Sequence, residues 1–400
     1  MPIDIIPVRN ERDYYCSNKF TYLKIDLEKT TTYNCHAATP HVIDFEWLKK
    51  NPGQLFNTPI NVAERELMLN NQRNSSCEQN CYPAEDRGQV SARMLIKNAP
   101  DQRNNNVIAH PDQLEVSLMS DCNLTCSYCC KEYSSAWRND LLINGPYDLP
   151  NYKDQNRIRL LPIDIIVSKV SQKEKISSSK IKLLLDYFYH AQSHVKKLTI
   201  TGGEPLLNNS LLDILENSKT IPQIKLFTGL GVNINRFKKI LDQIRHYKNV
   251  KLCISAESTG KNYEFNRYGM SWPDFLKKMQ IIQDSKIDFG FNSTISNLTV
   301  LGFGEFYKIY QDKIDHIDFV YRPDFMSAGN IDPDSKCQIT TELTEFNSDI
   351  KIQQILQTVN GDSINNDHRL NMALWMNQFA ARRDLDLSFY PKTFLDWLNQ

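Results

Sequence analysis

Three cysteines spaced Cys122-Asn-Leu-Thr-Cys126-Ser-Tyr-Cys129 form the densest chemical signal in this 400-residue chain. They directly follow an apolar, strand-like segment, QLEVSLM (113–119). Four thiolates ordinarily hold a four-iron cluster. Three from one short loop would leave one iron without a protein ligand, and an open coordination position lets a substrate or cofactor bind a metal. Two plainer readings stand beside this one: a zinc site, or simply buried cysteines. Zinc would need a fourth ligand nearby, and Cys130 is too close in sequence to bend back easily. A second motif, Thr201-Gly202-Gly203-Glu204-Pro205, ends the next strand candidate, KKLTIT (196–201). Two glycines allow backbone torsions and close approaches that a side chain forbids. Their carbonyls, with Glu204, can accept hydrogen bonds from an ammonium group.

The spacing C-x3-C-x-aromatic-C after a first strand, followed one βα unit later by GGEP, resembles the signature of radical S-adenosylmethionine (radical SAM) enzymes. The resemblance implies a [4Fe–4S] cluster on Cys122, Cys126 and Cys129. It also implies that the open iron chelates S-adenosylmethionine, whose reductive cleavage gives a 5′-deoxyadenosyl radical that abstracts hydrogen from the substrate. The protein's share is positioning and shielding, since the cofactor carries the hard chemistry. By the same resemblance Tyr128 lies beside the adenine, and Gly202, Gly203 and Glu204 grip the methionine amino group. Ser255 and Glu257, at the end of the fourth strand, match positions facing the ribose hydroxyls, with Asn292 and Thr294 on the fifth strand adding to them. Arg267, in FNRYG, resembles a position that pairs with the methionine carboxylate, where a bidentate guanidinium fits well. Each of these later polar residues also reads as a solvated or structural group. An external flavodoxin- or ferredoxin-like electron donor is implied as well.

Cys16, Cys35, Cys77 and Cys81 are a set of four, the usual complement of a closed cluster. With the run LMLNNQRNSSCEQNCYPAEDRGQVSAR they resemble the auxiliary-cluster module known as a twitch domain, the shorter relative of the SPASM domain. The resemblance implies a second [4Fe–4S] cluster, suited to electron relay or stability. The chain departs from the pattern in three ways: LEKTTTYNC lacks the expected hairpin glycine, the last pair is spaced C-x3-C, and the module comes first in the chain. Structural zinc on the same thiols and unconnected free cysteines stay open as readings. Cys253 and Cys337 read as small buried hydrophobes, with hydrogen-atom donation to a substrate radical as the alternative.

The elements that must position these groups follow a rhythm. Strand candidates at 113–119, 196–201, 224–229, 250–256, 287–294 and 314–321 alternate with helical patterns at 178–191, 211–219, 236–247, 273–284 and 300–312. Alternation of this kind predicts parallel βαβ units, an α/β chain with a partial (β/α)6 TIM-like barrel; a doubly wound sheet is the alternative. Residues 1–112 read as a small cysteine-rich domain and 113–324 as the barrel. Residues 131–177 read as an ordered insertion, too long for a simple βα loop. Residues 325–400 read as a helical extension, with helical patterns at 341–359 and 368–383. PIDII occurs at 2–6 and 162–166 and is treated as chance.

Lys plus Arg and Asp plus Glu both number 47, so the formal net charge is zero. A nucleic-acid binder usually carries a basic excess, so a long polynucleotide partner is not expected. MPIDIIPVRNERDYY reads as no secretory signal, and no apolar run approaches the ~20 residues of a membrane helix. A cytoplasmic setting is therefore expected, where ten cysteines point to metal or catalysis instead of disulfides. The leading substrate expectation is a peptide or amino-acid derivative, by analogy of domain type alone. Modification of a nucleotide, base or sugar is the alternative, and a non-catalytic iron–sulfur or zinc protein is the third reading.

Overall fold

The computed structural model describes residues 13–35, 38–78, 81–86, 91–95, 110–149, 178–361 and 365–400. They belong to two compact units. One comprises Met1–Leu118, Lys175–Ile200 and Ile214–Ile224, and the other Met119–Glu174, Thr201–Asp213 and Lys225–Gln400.

In the first unit, β1 (Tyr22–Asp26) runs parallel to β4 (Gln113–Ser117), with Tyr22 opposite Gln113. On β1's other side it pairs antiparallel with β2 (Thr31–Tyr33), and β2 with β3 (His41–Val42). The order is β3-β2-β1-β4-β6, with β6 at Lys197–Thr201. Leu23, Ile25, Leu114 and Val116 are buried as the alternating pattern requires. The cross-strand pair Lys24 and Glu115 forms an ion pair at 2.9 Å. The missing hairpin glycine is replaced by Thr30, which itself takes φ of +52°, while Asp26 accepts from the Lys29 N–H at 2.8 Å. That turn delivers the chain toward Cys35.

In the second unit the order is β7-β8-β10-β11, for β7 (Gln223–Thr228), β8 (Val250–Ser255), β10 (Asp288–Ile295) and β11 (Ile314–Phe319). Strands β8, β10 and β11 are parallel. Helices Ile234–Ile244, Trp272–Ser285 and Asn297–Tyr310 lie between them in the chain. Phe291 is fully buried among the rings of Phe306 (5.1 Å), Tyr310 (4.8 Å) and Phe289 (5.9 Å). A separate two-stranded ribbon pairs β5 (Thr125–Cys126) with β9 (Arg267–Tyr268) in antiparallel register.

The fold is thus mixed α/β and mostly parallel, and all six sequence-predicted strands form. Strands β3 and β11 each pair on one side only, so among the described residues no closed ring of strands exists. The single helix expected at 341–359 is two, Pro333–Thr344 and Ile350–Gly361. Asn347, Ser348 and Asp349 favour a turn there, and Asp349 accepts from the Lys351 N–H at 2.8 Å and the Tyr307 hydroxyl at 2.8 Å. The described part of the insertion forms the helix Ser135–Asn144. Beyond it Tyr147 stacks on Trp375 of the C-terminal helix Asn366–Ala381 at 5.9 Å. Residues 150–177 and both PIDII segments lie outside the described residues.

Because Phe291 packs among rings of its own strand and of helix Asn297–Tyr310, Phe291→Ala leaves a cavity that side-chain motion cannot close. The expected loss is about 3–5 kcal/mol of unfolding free energy, read from the urea midpoint at unchanged slope.

Candidate active site

The cysteine loop is held from two sides. Cys126 sits on β5 directly opposite Arg267 on β9. The Ser127 N–H donates to the Asn266 carbonyl at 2.9 Å, and its hydroxyl to Asn266 Oδ1 at 2.6 Å. From the other side, the N-terminus of helix Ser135–Asn144 clamps the loop. Ser134 caps the helix by accepting from the Trp137 N–H (3.2 Å) and donates to the Leu124 carbonyl (2.7 Å). Ala136 N–H donates to the Cys122 carbonyl at 3.0 Å, and Trp137 Nε1–H to the Cys126 carbonyl at 3.0 Å. The three thiols influence one another's ionisation. Burial and Cys126 push the Cys122 thiol up to about 12. Burial raises Cys126, with Arg267 opposing it, and Cys129 is raised by its contact with Cys130 and by burial. Thiolates are the ligand form, so a metal bound here must displace protons from reluctant thiols.

The GGEP turn is stitched to the segment leading into Cys122. Gly203 N–H donates to the Met119 carbonyl at 2.7 Å and Glu204 N–H to the Asp121 carbonyl at 2.8 Å. A Cβ on Gly203 would lie 2.5 Å from the Asp121 carbonyl oxygen, so no other residue fits. The Glu204 carboxylate is buried and accepts four hydrogen bonds: from Thr228 Oγ1 (2.7 Å), Leu206 N (3.1 Å), Gly229 N (2.9 Å) and Gly231 N (3.0 Å). Four is about the capacity of a carboxylate.

Beside Cys126 lies a buried polar triad. Tyr128 donates its hydroxyl proton to Glu257 Oε1 at 3.0 Å, Arg267 Nη1 donates to the Tyr128 hydroxyl oxygen, and Arg267 Nη1 stands 3.8 Å from Glu257 Oε2. Glu257 is 0% and Arg267 4% exposed. Burial raises the Glu257 carboxyl, with Arg267 and Tyr128 opposing. Burial disfavours the Arg267 charge, yet Tyr128, Cys126 and Glu257 hold its pKa well above the ordinary value. Among the described residues, Glu257 Oε2 and the Ser258 hydroxyl are buried without a hydrogen-bond partner, and the Tyr263 hydroxyl lies against Arg267. Such atoms are rare and costly unless a ligand meets them. A buried carboxylate and a buried guanidinium side by side fit the opposite charges of a small zwitterion.

Ser255 and Asn292 stand opposite each other in the β8–β10 register, and the Asn292 amide donates to Asp318 Oδ2 at 3.0 Å. The structure therefore brings Tyr128, Glu257 and Arg267 together with Cys126, while Asn292 is engaged elsewhere. Sequence reasoning missed Tyr263, Ser258, Asn266 and the Thr228-Gly229-Leu230-Gly231 turn. Two glycines ending the third strand candidate were the available signal for that turn.

In the first unit, Cys16, Cys35, Cys77 and Cys81 line one cavity together with Lys19, Ala38 and Arg93. Burial and Cys35 push the Cys16 thiol up to about 12. Burial also raises Cys77 and Cys81, and Cys35 acts on both. Among the described residues, no three His, Cys, Asp or Glu side chains close around one point as a single-ion site.

Residues 116–312 match the family model of the Radical SAM superfamily, and the chain carries a radical SAM domain there. Enzymes of this superfamily use a [4Fe–4S] cluster and S-adenosylmethionine. Two GTP 3′,8-cyclases of Clostridium perfringens, from strains SM101 and 13, are 27% identical over 160 residues. That segment is 40% of this chain and 39% of those proteins, so the chain spans about two fifths of the curated relatives it matches. Among solved structures, anSMEcpe with bound AdoMet is similar at TM-score 0.37 and 14% identity, over 58% of this chain and 57% of that one. Streptococcus suis SuiB bound to S-adenosylmethionine is similar at TM-score 0.34 and 12% identity, over 86% and 73%. No helix of the described residues is long and apolar enough to cross a membrane.

Gly203→Ala forces the GGEP turn away from Asp121. We expect a loss of about 1–3 kcal/mol of stability, the usual cost of overpacking, and a lower iron content after anaerobic reconstitution, measured by colorimetric iron assay against the parent protein.

Proposed function

We propose that this chain cleaves S-adenosylmethionine reductively and uses it to modify a peptide or amino-acid-derived substrate. The observation carrying the first part is the buried Glu257–Arg267 pair, with Arg267 directly opposite Cys126 across the β5–β9 ribbon. Cys122, Cys126 and Cys129 would hold the [4Fe–4S] cluster. When bound, the cluster and S-adenosylmethionine supply a 5′-deoxyadenosyl radical for hydrogen abstraction. Arg267 would neutralise the cofactor carboxylate, and Glu257 would accept from the ribose hydroxyls while Tyr128 flanks the adenine. Ser255 would widen the ribose contacts, whereas Asn292, its amide given to Asp318, would stand aside. Glu204, its oxygens already taken by chain donors, would hold the turn so that the Gly202 and Gly203 carbonyls meet the methionine ammonium. We place the protein in the cytoplasm with a flavodoxin- or ferredoxin-like donor.

The four thiols lining one cavity support a second [4Fe–4S] cluster. A zinc ion with Zn–S bonds of ~2.3 Å would need four sulfurs packed tightly about one point, whereas a cube of iron and sulfide takes thiolates from the walls of a wider space. Four protein ligands leave that cluster no open position, which suits electron relay or stability. This twitch-like feature favours the peptide substrate. A nucleotide or base substrate is favoured by one other observation, the sequence similarity to GTP 3′,8-cyclase.

Reconstituted protein given S-adenosylmethionine and dithionite should release 5′-deoxyadenosine, measured by chromatography and mass spectrometry, and Cys126→Ala should abolish it. No release from protein with a confirmed cluster sinks the proposal. Arg267→Met should weaken S-adenosylmethionine binding tenfold or more, since a charged hydrogen bond contributes about 1.5–3 kcal/mol. Substrate class is read from whether a deuterated amino-acid or a deuterated nucleoside pool passes label to 5′-deoxyadenosine. The Cys122→Ala, Cys126→Ala, Cys129→Ala triple variant should still bind about four irons; near-zero iron would refute the second cluster.

A further inference from the structure

The four-cysteine cavity contains two cations that cysteine spacing alone gave no hint of. Lys19 and Arg93 line it, while their carboxylate partners Glu64 and Glu85 are not among its lining residues. Lys19 is 1% exposed, a burial that lysines almost never reach unless paired. Its ammonium is fixed by Glu64 Oε2 at 2.5 Å and Ser76 Oγ at 2.6 Å, and Ser76 directly precedes Cys77. Glu64 Oε1 is in turn 3.2 Å from His41 Nε2. Arg93 is held by Glu85 and by the carbonyls of Asp13 and Tyr15, the last at 3.0 Å.

Four thiolates in a buried space repel one another and lack water to disperse their charge. Reducing a cluster held by them adds one more negative charge, so a fixed cation nearby favours the reduced form. Net charge and local hydrogen bonds are among the quantities that set cluster potentials. We propose that Lys19, oriented by Glu64 and Ser76, is a positioning residue that raises the reduction potential of a cluster bound by Cys16, Cys35, Cys77 and Cys81. This inference rests on the second-cluster reading above. The step is a single electron transfer from an external low-potential donor, with no bond made or broken.

The test uses the full-length Cys122→Ala, Cys126→Ala, Cys129→Ala protein, so that any reducible cluster is the N-terminal one. It is titrated with dithionite while electron paramagnetic resonance reports the reduced fraction. Lys19→Met should lower the reduced-to-oxidised ratio at fixed poise at least tenfold, which is 59 mV for one electron. Glu64→Gln should move the midpoint the opposite way, because it removes the opposing charge. Loosening of the site would expose the cluster to water in both variants and could not give opposite signs. Unchanged midpoints at full iron content overturn the inference and leave the second cluster standing. Absence of reducible iron in the parent triple variant overturns both. Where Lys19→Met fails to load iron, Lys19→Gln takes its place: a lower midpoint supports the role and an unchanged or higher one refutes it.

Discussion

Arg267 is the constraint on which the site depends. A guanidinium with 4% exposure cannot rely on water, so the fold must supply anions and dipoles around it. It does so with Glu257, the Tyr128 hydroxyl and the thiol across the β5–β9 ribbon, Cys126. Glu257 comes from the end of β8, while Tyr128 and Cys126 both come from the cysteine loop. The cysteine loop therefore cannot shift without unpairing a buried charge, which is why a short segment that is strand for only two residues keeps a definite position.

Glu204 does for the neighbouring turns what Arg267 does for the loop. Its carboxylate gathers the N–H groups of Gly229 and Gly231 and the Thr228 hydroxyl from the end of β7, while its own N–H binds the Asp121 carbonyl. Two turns that are far apart in sequence share one buried anion, and the residue that carries it is tied by its backbone to the cysteine loop. Glycine at 203 is then required by space, since a Cβ would strike the Asp121 carbonyl. The glycines of GGEP and of Thr228-Gly229-Leu230-Gly231 belong to one packing problem, although the sequence presents them as separate turns.

Much of this is legible in the sequence. Period-two apolar segments located all six strands of the βα region, and helix Ser178–Ala191 coincides with its predicted limits. Cys122, Cys126 and Cys129 announced themselves by spacing, and Arg267 and Glu257 by family resemblance. Less legible were groups whose role depends on distant partners. Lys19 reads as a surface lysine until Glu64, 45 residues later, is seen to bury it. Ser258 looks ordinary because nothing local marks a hydroxyl that ends up without a partner. The break at 345–349 was missed because apolar residues on both sides keep a helical period, while the turn depends on Tyr307 reaching Asp349.

The two cysteine sets differ in what must happen before they can bind metal. Cys122, Cys126 and Cys129 share one eight-residue segment, so their mutual distance is bounded by the loop itself even in an unfolded chain. Cys16, Cys35, Cys77 and Cys81 span 66 positions and meet only when β1, its hairpin and the helix Cys81–Asp86 have assembled. Closing a loop of that length costs entropy that local contacts do not recover. Metal held by all four would therefore bind the folded unit far better than the unfolded one, and its binding free energy would become folding free energy. The same assembly buries Lys19 against Glu64, so the charge that would tune the centre exists in that position only once the thiols have converged.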